Sequence, residues 1–219
     1  MNSILVTAIL FGATPVDVSR PAEGSLLFSQ NSKKIVEEWT NSSITHVAIV
    51  VNHDGKPWVY EAAPPKVRRV PLATYYREIG VENKKRGDDR IRIWLLTPNE
   101  SLSEDELIEI RSYLKSQKGR RYSIRNYVRG KPGDGIHCAE FAANVLSRVG
   151  RCQAGAPYAL NPTTLLRAIT PEYSQANEVF ITIEKPKKKK SWCQRSGEWW
   201  SNAFNWCGWA SEECWKFCW

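Results

Sequence analysis

Long apolar runs are missing from this chain. No stretch approaches the roughly 18 consecutive uncharged apolar residues that a membrane-spanning helix needs. Cysteine is nearly absent from the main body: residues 1 to 190 hold only Cys138 and Cys152, which excludes a disulfide-stapled scaffold. Histidine is scarce too, with three in 219 residues, at 46, 53 and 137. His53 and His137 lack ligand-like spacing to other donors, so neither a metal nor an organic cofactor is expected. No repeat recurs at a fixed period. Acidic residues are the minority, 23 against 31 Lys and Arg, leaving a net charge of +8. Such a surplus raises nucleic acid or an anionic membrane as partners. It is concentrated in Lys185 and Lys187 to Lys190, and in Lys118, Arg120, Arg121, Arg125, Arg129 and Lys131. Neither cluster belongs to a recognisable nucleic-acid module, so no nucleic-acid partner is expected.

Against those absences, apolar patterning marks one domain-sized body over residues 22 to 184. Gly24 to Phe28 reads as a strand and Ser32 to Trp39 as one or two helical turns. Ile44 to Val51 is rich in β-branched residues and is followed by Asn52-His53-Asp54-Gly55, strong turn chemistry, and by Trp58 to Glu61, which makes a hairpin. A four-residue loop at 52 to 55 would set Val51 opposite Lys56 and His46 opposite Glu61, on one face of the sheet. Val67 to Pro71 and Arg90 to Leu96 read as further strands, with Val81 to Asp89 as a charged loop. Ser103-Glu104-Asp105-Glu106 is a capping signature for an amphipathic helix through Leu107, Ile110 and Leu114 that stops near Gly119. Gly119 to Gly135 reads as a basic loop with a helical turn or two at Ile124 to Val128. Cys138 to Val149 carries an apolar stripe before Gly150. Asn161-Pro162 opens a short helix, and Val179 to Ile183 is a last strand. The preceding segment, residues 1 to 21, includes the apolar run Ile4 to Phe11, compatible with a signal h-region although no Lys or Arg precedes it. Localisation, exported or cytoplasmic, therefore stays open.

The chemistry concentrates in two segments about ninety residues apart. A cysteine acts as a nucleophile only as thiolate, and a helix N-terminus favours that charge, which is where Cys138 falls. His46, in a strand, would take and return the thiol proton, and Glu61, from the paired strand, would hold the ring's other nitrogen. The Cys138 backbone N–H and the Tyr122 hydroxyl are candidate oxyanion donors. Each residue alone has an ordinary reading, as packing cysteine, core histidine or surface carboxylate. Their conjunction points to a thiol enzyme, and His53 and His137 are left as structural.

The succession Gly24 to Phe28, Thr45-His46-Val47-Ala48-Ile49-Val50, Tyr60-Glu61-Ala62, Gly119 to Tyr122, Cys138-Ala139-Glu140-Phe141 and Asn161 to Leu165 resembles the circularly permuted papain-like hydrolases of the NlpC/P60 superfamily, the YiiX/YebB-like group. In this chain histidine precedes cysteine, the reverse of the papain order. The resemblance implies an α+β fold in which an antiparallel sheet carrying His46 and Glu61 packs against a helix headed by Cys138. It also implies a Cys138, His46, Glu61 triad, with Tyr122 near the site, cleaving an amide bond in a peptide, isopeptide or cell-wall peptide through a thioester. The family commonly has serine where Ala139 stands. The alternatives are a lecithin:retinol acyltransferase-like lipid acyl hydrolase or transferase, disfavoured because Glu61 stands where that group uses a second histidine, and a catalytically silent membrane-docked module.

Beyond residue 184 the composition changes. A polybasic linker, 185 to 191, leads into a tail, 192 to 219, with seven tryptophans and Cys193, Cys207, Cys214 and Cys218. Lysines followed by aromatics suit an anionic membrane surface, and a poorly ordered tail or a partner-docking segment is the alternative reading.

Overall fold

A computed structural model describes residues 4–8, 17–32 and 34–183; the polybasic linker and the Trp/Cys-rich tail lie outside them. The described residues fall within one compact unit, Ser3–Glu184, and none of their helices is long and apolar enough to cross a membrane. The fold is α+β. A seven-stranded sheet has the order β1-β7-β6-β2-β3-β4-β5, built from β1 (Ile4–Ala8), β2 (Leu26–Gln30), β3 (Ile44–His53), β4 (Lys56–Ala63), β5 (Lys66–Pro71), β6 (Arg92–Leu96) and β7 (Asn177–Ile183). All its neighbouring strands pair antiparallel. The segment with the character of a signal h-region thus contributes the edge strand β1, against β7.

Alternation along β3 builds the two faces. Val47, Ile49 and Val51 join one buried cluster, with Phe28, Tyr60, Ile110 and Phe141. Ala48 and Val50 join the other, with Leu27, Val59, Tyr75 and Tyr76. A strand covered on both faces has no reason to alternate polar and apolar residues, hence its almost continuous apolar run. The first cluster packs under α3 (Glu104–Gln117), α5 (Cys138–Arg148) and α6 (Pro162–Ile169), and the second under α2 (Leu72–Arg86). Two shorter helices, α1 (Lys34–Thr40) and α4 (Arg125–Arg129), flank the first layer. The caps read from sequence are present: Ser103 and Glu106 form a capping box on α3, and Asn161 and Thr164 form one on α6.

Two expectations need correction. The residues read as a charged loop, Val81 to Asp89, instead continue α2 to Arg86. Its inner stripe, Leu72, Tyr75, Tyr76 and Ile79, is buried in the first two turns, and the later turns are held at the surface by Glu82 paired with Arg86 at 3.1 Å and with Lys85 at 3.8 Å. Those i,i+3 and i,i+4 spacings are helical ones. The hairpin loop is two residues, not four: His53 pairs with Lys56 and Val51 with Trp58. Asp54 and Gly55 both take positive φ, 53° and 70°, as a type I′ turn requires. The register is therefore displaced by two from the expected one, and His46 does not lie directly opposite Glu61. Because side chains alternate with period two, an even displacement keeps the two residues on the same face.

Phe141 is fully buried between α5 and the sheet. Phe141→Ala should cost roughly 3–5 kcal/mol, read as a lower urea midpoint at unchanged m-value.

Candidate active site

The sheet opens where the chemistry lies. The ladder between β3 and β4 runs from the turn to Ile49↔Tyr60 and ends there. Beyond it β3 stays paired with β2, through Ser29↔His46, and β4 with β5, through Glu61↔Arg68. A register shift at Ser29/Gln30 falls at the same place. Strict alternation would give His46 to the α2 face with Ala48 and Val50. At the open end of the sheet its ring instead reaches both that side and the thiol at the start of α5.

Cys138 is the first residue of α5 and is 3% exposed. The helix is capped by His137, whose Nδ1 accepts the Glu140 backbone N–H at 3.3 Å. The His137 Nε2–H donates to the Tyr158 carbonyl at 3.1 Å. Glu140, two residues beyond the cysteine, is itself buried and accepts from the Asn126 amide at 3.1 Å. That amide also donates to the Gly135 carbonyl at 2.8 Å. This web ties the loop ahead of the nucleophile to its helix.

His46 and Glu61 are buried, and His46 Nε2 lies 2.6 Å from Glu61 Oε2. That contact leaves Nδ1 as the nitrogen available to the thiol. The other carboxylate oxygen, Oε1, accepts from Arg68 Nε at 2.6 Å, and Arg68 in turn donates to Glu78 at 2.7 Å. Burial alone would raise Glu61, but its hydrogen bond and ion pair with His46, together with Arg68, hold it down to about 2. Burial works against protonating His46, yet the Cys138 thiolate and the Glu61 carboxylate outweigh it and raise the imidazole to about 10. Burial likewise opposes thiolate formation, but the His46 charge and the neighbouring His137 and His46 rings bring Cys138 down to about 6. The two shifts run in opposite directions, imidazole up and thiol down, and both favour the proton on nitrogen over sulfur. Tyr122 borders the thiol, and burial and the thiolate both push its hydroxyl pKa up, keeping it a neutral donor.

The structure thus brings Cys138, His46, Glu61 and Tyr122 to one place. The fold resembles that of YiiX. This metalloprotein from Escherichia coli O157:H7 superimposes with a TM-score of 0.54 at 16% identity, over 76% of this chain and 99% of that one. No family model matches the chain, and no curated protein does. A likeness at such identity concerns the YiiX-like fold alone. Among the described residues no group of three or more His, Cys, Asp or Glu side chains is arranged to hold a metal ion.

Two residues of this site were not singled out from sequence. Arg68 could have been found by the counting used for the hairpin: Pro64 and Pro65 form a two-residue turn, with Ala63↔Lys66 and therefore Glu61↔Arg68. His137, set aside as structural, does cap a helix but also borders the thiol. His53 lies at the hairpin tip, where its Nε2 meets the Tyr60 hydroxyl at 2.6 Å.

Iodoacetamide alkylation of Cys138, followed by peptide mapping, should rise through a midpoint near pH 6, because the thiolate is present above its lowered pKa of about 6 and lost below it. His46→Ala should move that midpoint up toward or past the free-thiol value of about 8.5, since burial then acts with less opposition. Cys152, pushed up by burial, should stay unlabelled at pH 6 to 7.

Proposed function

We propose that this protein is a cysteine hydrolase of permuted papain-like fold that cleaves an amide bond. The chain of contacts from the half-exposed Arg68 to the buried Glu61 and His46, beside a thiol with lowered pKa at a helix start, carries that reading. The Cys138 thiolate attacks the carbonyl carbon, forming a C–S bond and a tetrahedral oxyanion. The Cys138 N–H, at the open end of α5, and the Tyr122 hydroxyl are the donors for that oxygen. As the C–N bond breaks, the His46 imidazolium passes its proton to the departing nitrogen and becomes neutral. Neutral His46 then takes a proton from water, whose oxygen attacks the thioester. Collapse of the second tetrahedral species releases the acid and restores the thiolate–imidazolium pair. Glu61 holds the ring orientation throughout and offsets the imidazolium charge in a buried site.

The same arrangement speaks against a catalytically silent module, because a binding surface has no use for a buried thiolate. Burial opposes that charge, and the His46 imidazolium, itself backed by Glu61, offsets the cost.

Intact-mass spectrometry after mixing with an activated acyl ester should show one acyl group on Cys138 and none on Cys138→Ala. His46→Ala should lower turnover roughly 10²–10⁴-fold, the usual contribution of a positioned acid-base. Wild-type turnover in His46→Ala would sink the assignment.

A further inference from the structure

A basic loop completes the β5 edge of the sheet. Residues 119 to 122 run along its outer side: the Val67 N–H donates to the Arg120 carbonyl at 2.8 Å, the Gly119 N–H to the Val67 carbonyl at 3.0 Å and the Tyr122 N–H to the Pro65 carbonyl at 2.9 Å. The loop then closes on itself. Tyr122 is bridged to Ile136, and the Arg120 guanidinium donates to the Asp134 and Gly135 carbonyls at 3.0 Å and to that of Gly133 at 3.1 Å. Helix α4 lies between the joined ends.

Charge of one sign is gathered on this closed loop and on the strand beside it. Lys66, Lys118, Arg121, Arg125, Arg129 and Lys131 are exposed, and none of them pairs with a carboxylate among the described residues. From Gly119 to Ile136 the one acidic residue is Asp134. Two of the placements are unfavourable in themselves: Lys66 stands opposite Arg121 across the strand pair, and Arg125 and Arg129 are four apart on α4. Like charges at either spacing repel. A loop fixed by its own hydrogen bonds holds these cations together, so the charge that balances them comes from outside the chain. The tip is apolar as well as cationic, because Val128, next to Arg129, is 46% exposed.

We propose that this face of the folded domain docks on an anionic lipid bilayer. Headgroup phosphates and carboxylates take the place of the missing acidic side chains, and Val128 enters the headgroup boundary. The surface is separate in sequence from the polybasic linker, 185 to 191. Nucleic acid matches the charge but not the shape. Helix α4 has five residues, too few to fill a groove, and the two tyrosines of the loop are committed: Tyr127 meets the His137 ring edge-on at 6.1 Å, and Tyr122 borders the thiol. Because Tyr122 belongs to the loop, docking brings the candidate active site up to the lipid. Docking itself needs no catalysis, so it stands apart from the hydrolase reading.

Co-sedimentation of the full chain with vesicles tests this, using phosphatidylcholine alone and phosphatidylcholine mixed with phosphatidylserine. Wild type should favour the mixed vesicles. Each basic residue near an anionic leaflet is worth about fivefold in partition, so Arg121→Gln, Arg125→Gln, Arg129→Gln and Lys131→Gln together should lower binding by about tenfold or more. The same number of charges removed elsewhere, by Lys56→Gln, Arg77→Gln, Lys84→Gln and Lys85→Gln, should leave it within about twofold of wild type, since the attraction fades within a Debye length. All eight side chains are exposed, and both variants should keep the wild-type circular dichroism. Asp134→Asn, which removes the loop's acid, should raise partition. Equal binding of wild type to the two vesicle types, equal losses in the two fourfold variants, or no rise in Asp134→Asn overturns the assignment. So does a single-stranded oligonucleotide or a polyglutamate chain that wild type binds more tightly than the mixed vesicles and that the first variant releases.

Discussion

A carboxylate withdrawn from water must have both of its oxygens occupied, and the site depends on how this is done at Glu61. One oxygen meets His46 and the other meets Arg68. The two contacts fix the side chain in one orientation and keep it ionised despite its burial. An ionised Glu61 makes a protonated His46 tolerable, and a protonated His46 makes a thiolate tolerable at Cys138. Each charge would be costly alone in that environment. Along the row from Arg68 through Glu61 and His46 to Cys138, the cost of burial at each group is countered by a neighbour that favours its charge.

The sheet supplies the distances. While β3 and β4 remain in their ladder, their side chains are committed to one face or the other. Where the ladder ends at Ile49↔Tyr60, His46 is still held by β2 and Glu61 by β5. The backbone stays paired on the outer sides as the inner sides part. That gap lets a histidine from the α2 side engage a thiol presented from the α5 side. It also explains why two separate cavities border the pair: one against Cys138, bounded by the α1, α4 and α6 layer, and one against His46 and Glu61, bounded by α2 and the strands beneath it.

Much of this frame was legible from local patterns. The capping signatures at Ser103 and Asn161, the apolar stripe after Cys138 and the β-branched run at Ile44 to Val51 depend on neighbours three or four residues away. The same short-range rules govern the folded chain. The hairpin is more instructive. Reading Asn52 to Gly55 as a four-residue loop misplaced the register by two, yet the His46–Glu61 contact survived because an even slip preserves the face; a slip of one would have separated them. Extension of α2 through Lys84 to Arg86 was missed because its second half presents no apolar stripe and is supported by ion pairs at the surface. Arg68 was missed although it follows from counting around Pro64-Pro65, since an arginine in a basic strand gives no hint that its cross-strand partner is buried.

By itself, the sequence determined which groups the chain offers for chemistry: one cysteine at the mouth of an amphipathic helix, one histidine in a buried strand, one carboxylate on the strand beside it, and an α+β alternation to carry them. These follow from residue type and periodicity, which act over a few positions. Tertiary structure alone decided which nitrogen of His46 faces Glu61, that Arg68 completes the carboxylate's shell, and that separate cavities flank the thiol and the imidazole. Those features arise where segments about ninety residues apart converge, and convergence is set by strand pairing and by the burial of charge, neither of which is encoded at any single position.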